Sequence, residues 1–567
     1  MLVVFEGIDG SGKTTLSNQV VERLAARGIS VKHLRAGGRF VSSVTEAIRS
    51  LGRDARNLDL VPKAEFLLYV AREVQLIEEA LKPALLAHDV VFADRFLYTA
   101  EVLASYGRRL PPEWTSPILQ AASSGVSPDL VVLMDVEPSL ARARRKAHKR
   151  AVADARPPSR RGLAGVGLQY RLREGYLELA REHSDSWVVV DNDQPLESSV
   201  AHISELVQSA LASGAKPAVE RFRARPVPAR AGNTAACELR SAKDALDAFL
   251  VWLDERSTLE PRVAAHMLSG LAGEPLDALR CRLIDRVPEA VLGGLAGLVD
   301  ETSWELRERL KATHPAGVAR TLQTIPGSDP RAAALRAELE PAATVEVIAS
   351  LTGLDDEAAW DLRARGYEQH ADAVTRSLAG LGSQRAWQLR ERWLAAHFRA
   401  LGSDYELARS ACKSVAGVPD ERAFAVREAA AVAAPVAALS SLAGLLCPRS
   451  WHWRERYLLR APKPVMATLR GLREPLAWKM RAAVVADCKE VIDSIVGLDD
   501  PEAWTLREAY GDTWPSTVVK SLGALAETAR GRAVLERQLR AHSANISLLK
   551  HASAIALGLH RMVALDE

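Results

Sequence analysis

The sequence predicts two folds in one chain. A doubly wound α/β domain with a parallel five-stranded sheet is expected over residues 1–212, a linker over 213–241, and an all-α solenoid of helical hairpins, each about 27 residues long, over 242–567. Three observations carry this reading. Short apolar runs alternate with helical stretches in the first third of the chain, a glycine-rich turn separates the first run from the first helix, and a Leu-x-Gly-Leu motif recurs through the last part.

With 567 residues the chain is too long for one core. Its net charge of +3 is small and no block of like charge dominates either half, which gives no reason to invoke nucleic acid or membrane. Cys237, Cys281, Cys412, Cys447 and Cys488 are widely spaced and lack Cys-x-x-Cys or histidine companions, so they read as core thiols in a reducing compartment. No signal-peptide pattern precedes the first strand and no apolar run is long enough to span a bilayer, so the expected location is cytoplasmic.

Leu2 to Phe5 form the first expected strand. Gly7-Ile8-Asp9-Gly10-Ser11-Gly12-Lys13-Thr14 then matches the phosphate-loop pattern G-x-x-x-x-G-K-[ST], with Thr15 next. Glycines let backbone N–H groups turn inward around phosphates, and the helix that follows presents its positive end to them. Lys13 suits the β/γ-phosphate oxygens of ATP, and the Thr14 hydroxyl suits Mg²⁺. Leu16, Val20, Val21 and Leu24 continue at helical spacing to Gly28. The alternation proceeds through a strand at 29–34, a long helix at 63–87, a strand at 90–93, a helical stretch to Ser124, a strand at 130–136, helices to about His183, a strand at 187–190 and a last helix to Leu211.

Asp94-Arg95-Phe96 ends the third strand, where a carboxylate can hold Mg²⁺ waters and a guanidinium can grip an acceptor phosphate bidentately. Between positions 142 and 161 the basic residues Arg142, Arg144, Arg145, Lys146, Lys149, Arg150, Arg156, Arg160 and Arg161 face one acid, Asp154, and Pro157, Pro158, Gly162 and Gly165 follow or intervene. This reads as a basic lid that brings positive charge onto a transferring phosphoryl group and excludes water.

Together these stretches resemble the thymidylate kinase family over residues 1 to about 211: FEGIDGSGKTT its phosphate loop, LLYVAREVQLIEEALKPAL its long helix, DVVFADRF its Asp-Arg strand end, and REGYLELA and WVVVDNDQPLESSV its closing segments. The resemblance implies transfer of the ATP γ-phosphate to a nucleoside monophosphate, dTMP above all, with Mg²⁺ at Thr14 and Asp94. Residues 7–15 and Arg142 would bind ATP. Asp9, Tyr69, Arg72, Arg95 and Thr99 would bind the acceptor, with Tyr69 stacking on the base. Catalytic cations would be Lys13, Arg95, Arg145 and the residue at 149, here Lys149, because Gly10-Ser11 matches the subclass whose catalytic arginine lies in the lid. Members are typically homodimers, a contact that the fused solenoid could block or replace.

Three departures bear on the base. Where the family helix has an arginine reading thymine, this chain has Glu73, with Arg72 one position and about 100° of helical turn away. Ala-Tyr-Gln-Gly is replaced by Val102-Leu103-Ala104-Ser105, and the loop Arg35-Ala36-Gly37-Gly38 is shorter than its Arg-Glu-Pro-Gly-Gly counterpart. Losing polar readers should relax or change base choice.

Residues 212 to about 236, rich in Ala, Gly, Pro and Arg, read as a linker before a helix at 242–253. Leu-x-Gly-Leu or a variant then begins at Leu268, Leu295, Leu322, Leu351, Leu378, Val415, Leu442, Leu469, Ile495 and Leu522, at intervals of 26 to 29 residues with one of 37 after Leu378. Nine residues after most of these stands Trp304, Trp360, Trp387, Phe424, Trp451, Trp478 or Trp504, and three residues later an arginine: Arg307, Arg363, Arg390, Arg427, Arg454, Arg481 or Arg507. The glycine should stop one helix, acidic turns such as Asp355-Asp356 and Asp499-Asp500 should cap the next, the aromatics should anchor packing, and the arginines should form salt bridges between repeats. Stacked hairpins of this kind suit binding of a protein partner. A second reading of the whole chain is a nucleotide-gated scaffold in which the phosphate loop binds ATP and the solenoid is the working surface.

Overall fold

The computed structural model describes residues 1–34, 42–152, 167–192, 196–213, 239–485 and 488–559, with the backbone alone at 149–152 and 213. The loop at 35–38, the second half of the basic lid, the linker, Cys237 and the side chain of Lys149 lie outside the described residues. The described chain forms two compact units, one around the sheet and one all-helical.

In the first unit the strands are β1 Leu2–Glu6, β2 Val31–Leu34, β3 Val90–Asp94, β4 Leu130–Asp135 and β5 Trp187–Asp191, all parallel in the order β2-β3-β1-β4-β5. Helices α1 Lys13–Ala25, α2 Ser43–Arg53, α3 Pro62–Leu76, α4 Lys82–Ala87, α5 Leu97–Val102, α6 Pro112–Ala122, α7 Pro138–Val152, α8 Gly167–Glu182 and α9 Leu196–Ser213 alternate with them. β1 and β3 are buried along their whole length, which is why they read as unbroken apolar runs and not as alternating ones. Val3, Phe5 and Phe92 of the sheet meet Leu16, Val20, Ile203 and Val207 of α1 and α9 in one core. Because β3 and β4 flank β1 on opposite sides, a crevice opens beyond the carboxyl ends of these strands, the usual ligand position in such sheets.

The helix expected over 63–87 is interrupted by a π turn at Ile77–Leu81. Pro83 accounts for it, since proline offers no N–H to the preceding turn and its ring crowds the carbonyl there.

In the second unit each repeat pairs a short helix with a longer one, as in Pro435–Ser440 with Pro448–Tyr457 and Pro462–Thr468 with Pro475–Val484. Short helices pack on their counterparts from repeat to repeat and form a continuous rank. The array also closes on itself: its first helix, Ala242–Leu259, packs against its last, Ile546–Ala556, which rests in turn on Pro515–Leu522. The motif glycines sit at positive φ, for example Gly353 at 79° and Gly444 at 77°, as left-handed helix stops.

The repeated arginines correct the expectation of inter-repeat salt bridges. They are almost fully buried and bind backbone: Arg363 donates to the carbonyls of Leu351 at 2.7 Å and Leu354 at 2.8 Å, and its Nε donates to Ser377 Oγ at 3.0 Å. Arg427 and Arg507 repeat the pattern with Val415, Val418 and Ser441, and with Ile495, Leu498 and Ser521. Each guanidinium satisfies carbonyls that the Leu-x-Gly-Leu stop leaves without helical partners. Burial lowers the pKa of these arginines to about 10, so they remain charged at neutral pH. Arg280 and Arg336 do the same without an aromatic anchor, Arg280 with an added ion pair to Asp277 at 2.5 Å.

The salt bridges between repeats come from other arginines. Arg385, Arg422 and Arg530 reach back to Glu357, Glu391 and Glu508, and lie over Trp360, Trp387 and Trp504 at 4.9, 4.1 and 4.5 Å. Each of these indoles is thereby held between two guanidinium groups, its own repeat's and the next one's. Asp356 caps its helix as expected, whereas Asp355 and Asp499 accept the N–H of Trp360 and Trp504.

Candidate active site

The phosphate loop runs from the end of β1 into α1, with Gly7, Gly10 and Gly12 all at positive φ. A side chain at Gly10 would collide with the carbonyl of Ala141 and the Arg145 side chain, so glycine is required by contact as well as by conformation. Lys13 is buried and folds over the loop, donating to the carbonyls of Gly7 at 3.0 Å and Ile8 at 2.8 Å and to Ser11 Oγ at 3.3 Å. Burial, reinforced by the nearby Arg95 charge, brings its ammonium down to about 8. Thr14 Oγ1 donates to Asp94 Oδ2 at 2.8 Å, joining the loop to the end of β3. Thr15 lies on the exposed side of α1.

Arg95 adopts φ 80°, a left-handed conformation unusual outside glycine, and its side chain turns back toward the loop. Nη2 donates to Asp9 Oδ1 at 2.6 Å, while Nη1 donates to the Gly7 carbonyl at 3.1 Å, Thr99 Oγ1 at 3.1 Å and the Tyr176 hydroxyl oxygen at 3.2 Å. Burial alone would depress this guanidinium, but Tyr176, Asp9 and Glu6 raise it well above its usual value.

Glu6, fully buried, accepts from the Phe96 N–H at 2.9 Å and from Thr99 Oγ1 at 2.7 Å, and lies 3.8 Å from Arg95. Burial raises its pKa, against the Arg95 charge. Sequence reasoning missed Glu6, Tyr176 and Asn192. Glu6 was visible as a charged residue ending an apolar strand. Asn192, just past β5, donates its amide to the Ser11 carbonyl, and Arg144 donates to the Asn192 carbonyl at 3.0 Å. Only the three-dimensional level of the strand ends shows that these residues meet.

α7 brings Arg145 to the loop, with Arg142 near it. Burial lowers the pKa of Arg145, the Asp9 charge opposes this, and the Arg142 charge adds to the lowering. On α3, Arg72 and Tyr69 lie together. The helix is regular at 72–73, yet the Arg72 guanidinium lies 3.8 Å from the centre of the Tyr69 ring, one turn earlier, and is ion-paired to the buried Glu73. The long arginine stem reaches back over the ring, and Glu73 holds it there. Glu65, on the same helix, pairs with Arg108 at 2.8 Å.

A phosphate loop at a sheet switch point, a carboxylate facing its threonine and an arginine turned to it from the neighbouring strand define a P-loop phosphotransferase of the nucleoside monophosphate kinase class. The thymidylate kinase family model matches residues 5–203. Over 214 residues the chain is 34% identical to the thymidylate kinase of Geotalea uraniireducens (strain Rf4), covering 37% of this chain and 98% of that protein. Over 216 residues it is 37% identical to the thymidylate kinase of Trichlorobacter lovleyi, covering 37% of this chain and 99% of the relative. This chain belongs to the thymidylate kinase family. Among the described residues no helix is long and apolar enough to cross a membrane.

Proposed function

We propose that the chain transfers the γ-phosphoryl group of ATP to dTMP, giving ADP and dTDP. The observation that supports this most is the Arg95 side chain, which a backbone of unusual conformation aims at the phosphate loop, with Asp9 as counter-ion. A simple nucleotide switch has no use for a second anion grip facing the first. An acceptor phosphate would exchange Asp9 for its own oxygens on that guanidinium.

In this reading the loop N–H groups and Lys13 hold the β/γ-phosphates, and Lys13 trades the Gly7 and Ile8 carbonyls for phosphate oxygens. Thr14 and Asp94 fit Mg²⁺: one hydroxyl and one carboxylate suffice for an ion that keeps waters and phosphate oxygens as its other ligands. When bound, the ion neutralises charge on the phosphates. Arg145 and Arg142 stand where negative charge spreads in the transition state, with Lys149 as a further lid cation. Because a phosphate monoester is largely dianionic at pH 7, its oxygen attacks without a general base. Tyr69 stacks on the base and Arg72 offers the donor that the family's pattern places one residue later. Thr99, Glu6 and Tyr176 hold Arg95 in place. The helical array takes no part in this chemistry and serves as a binding surface.

The test is full-length protein with ATP, Mg²⁺ and a panel of dTMP, dUMP, dCMP, dAMP and dGMP. ADP and dTDP should form together, and Lys13→Ala should abolish both. Equal ATP turnover with no acceptor present would overturn the proposal in favour of a nucleotide-gated scaffold.

A further inference from the structure

The interval of 37 residues after Leu378 marks an insertion whose consequence lies in the array itself. Here the longer helix extends over Gln384–His397 and continues as a 3₁₀ turn at Phe398–Ala400, and the short helix, Tyr405–Ser414, has 10 residues where Pro435–Ser440 and Pro462–Thr468 have 6 and 7. The lengthened helix carries Arg409 and Lys413 one turn apart, on the same face. From the adjoining short helix Arg376 donates to Ser410 Oγ at 3.2 Å, so all three cations gather at one place.

Such a gathering differs from the equivalent place in another repeat. Other cations at comparable places are matched to acids of the neighbouring repeat: Arg320, two residues before its motif like Arg376 and Lys413, pairs with Glu346 at 2.9 Å, and Lys311 pairs with Glu338 at 2.7 Å. In the cluster Arg409 meets Glu406 at 2.7 Å, and Asp372, a turn before Arg376, instead accepts the Trp393 indole N–H at 2.6 Å. Among the described residues neither Arg376 nor Lys413 has a carboxylate within ion-pair distance. Lys413 is exposed, and partial desolvation together with the charges of Arg376 and Arg409 lowers its pKa, as like charges gathered at one place do.

We propose that Arg376, Arg409 and Lys413 form a binding site for the phosphate group of a small metabolite, separate from the catalytic cradle. Three cations less the Glu406 carboxylate leave two positive charges, which matches a phosphate dianion. Guanidinium forks and an ammonium supply charge-assisted hydrogen bonds of the right kind, and Ser410 fixes one fork in advance.

The experiment is calorimetric titration of full-length protein, held saturated with Mg²⁺, the non-hydrolysable β,γ-imido analogue of ATP and dTMP so that the cradle is filled. The titrants are inorganic phosphate and glycerol 3-phosphate. One remaining site is expected, weakened about tenfold or more by Lys413→Ala or Arg376→Ala, tightened by Glu406→Gln, and untouched by Lys311→Ala. Tighter binding of glycerol 3-phosphate would assign a phosphate ester, and tighter binding of inorganic phosphate the free anion. Absence of a remaining site, or a site indifferent to both Lys413→Ala and Glu406→Gln, would overturn the proposal.

Discussion

Arg95 and Asp9 face each other across the mouth of the phosphate loop, Nη2 to Oδ1 2.6 Å, although one residue follows β3 and the other follows β1. The left-handed backbone at Arg95 costs about 1–3 kcal/mol, and the surrounding bonds to Gly7, Thr99 and Tyr176 hold it in that state. Arg95→Ala is expected to lower kcat/KM for the monophosphate about 10²–10³-fold, the size of losing one aimed donor. Arg95→Lys should recover little of it, since a point charge cannot replace a planar fork. Steady-state kinetics with the acceptor varied reads both.

Lys13 sets a pH dependence. Its folded-state pKa is about 8 against the usual 10.5. Between those values the folded protein binds fewer protons than the unfolded chain, so in the free protein the burial penalty on this ammonium is relieved as pH rises. Nucleotide binding needs the ammonium and therefore weakens over the same rise through about 8. The thermal shift produced by MgATP should shrink from pH 7 to pH 9 in the wild type. In Lys13→Ala it should be small at both, and an equal shift at both pH values in the wild type would contradict the assignment.

Most of the fold was legible because its signals are local. Apolar runs bounded by turns located all five strands, and the phosphate loop is one contiguous stretch from Gly7 to Thr14. What escaped depends on distance. Tyr176 and Asn192 reach the loop only after the sheet has assembled, and no spacing in the sequence announces that. The arginine ladder was visible as a period, but its partners are carbonyls, which every residue has. The one sequence clue was a Ser or Thr just before most motifs, such as Ser377, Ser441 and Ser521, which accepts from the arginine Nε. The contact of Arg72 with Tyr69 could not be read either, because counting residues fixes where a Cα points and not where a long, flexible side chain ends.

Thr324 occupies the slot that glycine fills in most repeats, at φ 76°. A β-branched residue is poorly suited to the left-handed region, so Thr324→Gly is expected to stabilise the array by about 1 kcal/mol. Urea unfolding followed by circular dichroism should show a higher midpoint with an unchanged slope.

Arg363 offers the reverse case. Arg363→Leu leaves the carbonyls of Leu351 and Leu354 without their donor inside the array, at a cost of about 3 kcal/mol or more. Ser377→Ala, which removes only the hydroxyl that accepts from Nε, should cost about 1 kcal/mol. If the arginine were instead a surface group awaiting a ligand, both substitutions would leave the unfolding midpoint in place.

Closure of the array makes a final prediction that an open solenoid would not. In an open stack each repeat leans only on its neighbours, so loss of the last helix is felt only beside it. Here Ile546–Ala556 rests on both Pro515–Leu522 and Ala242–Leu259. Truncation after Asn545 should therefore speed amide exchange in 242–259, at the opposite end of the array's sequence, as well as in 515–522. Phe249 and Leu253 are fully buried in the first helix, and uncovering that helix should also make it a site of proteolytic nicking. Unchanged exchange over 242–259 in the truncated protein would mean that the two ends do not support each other in solution.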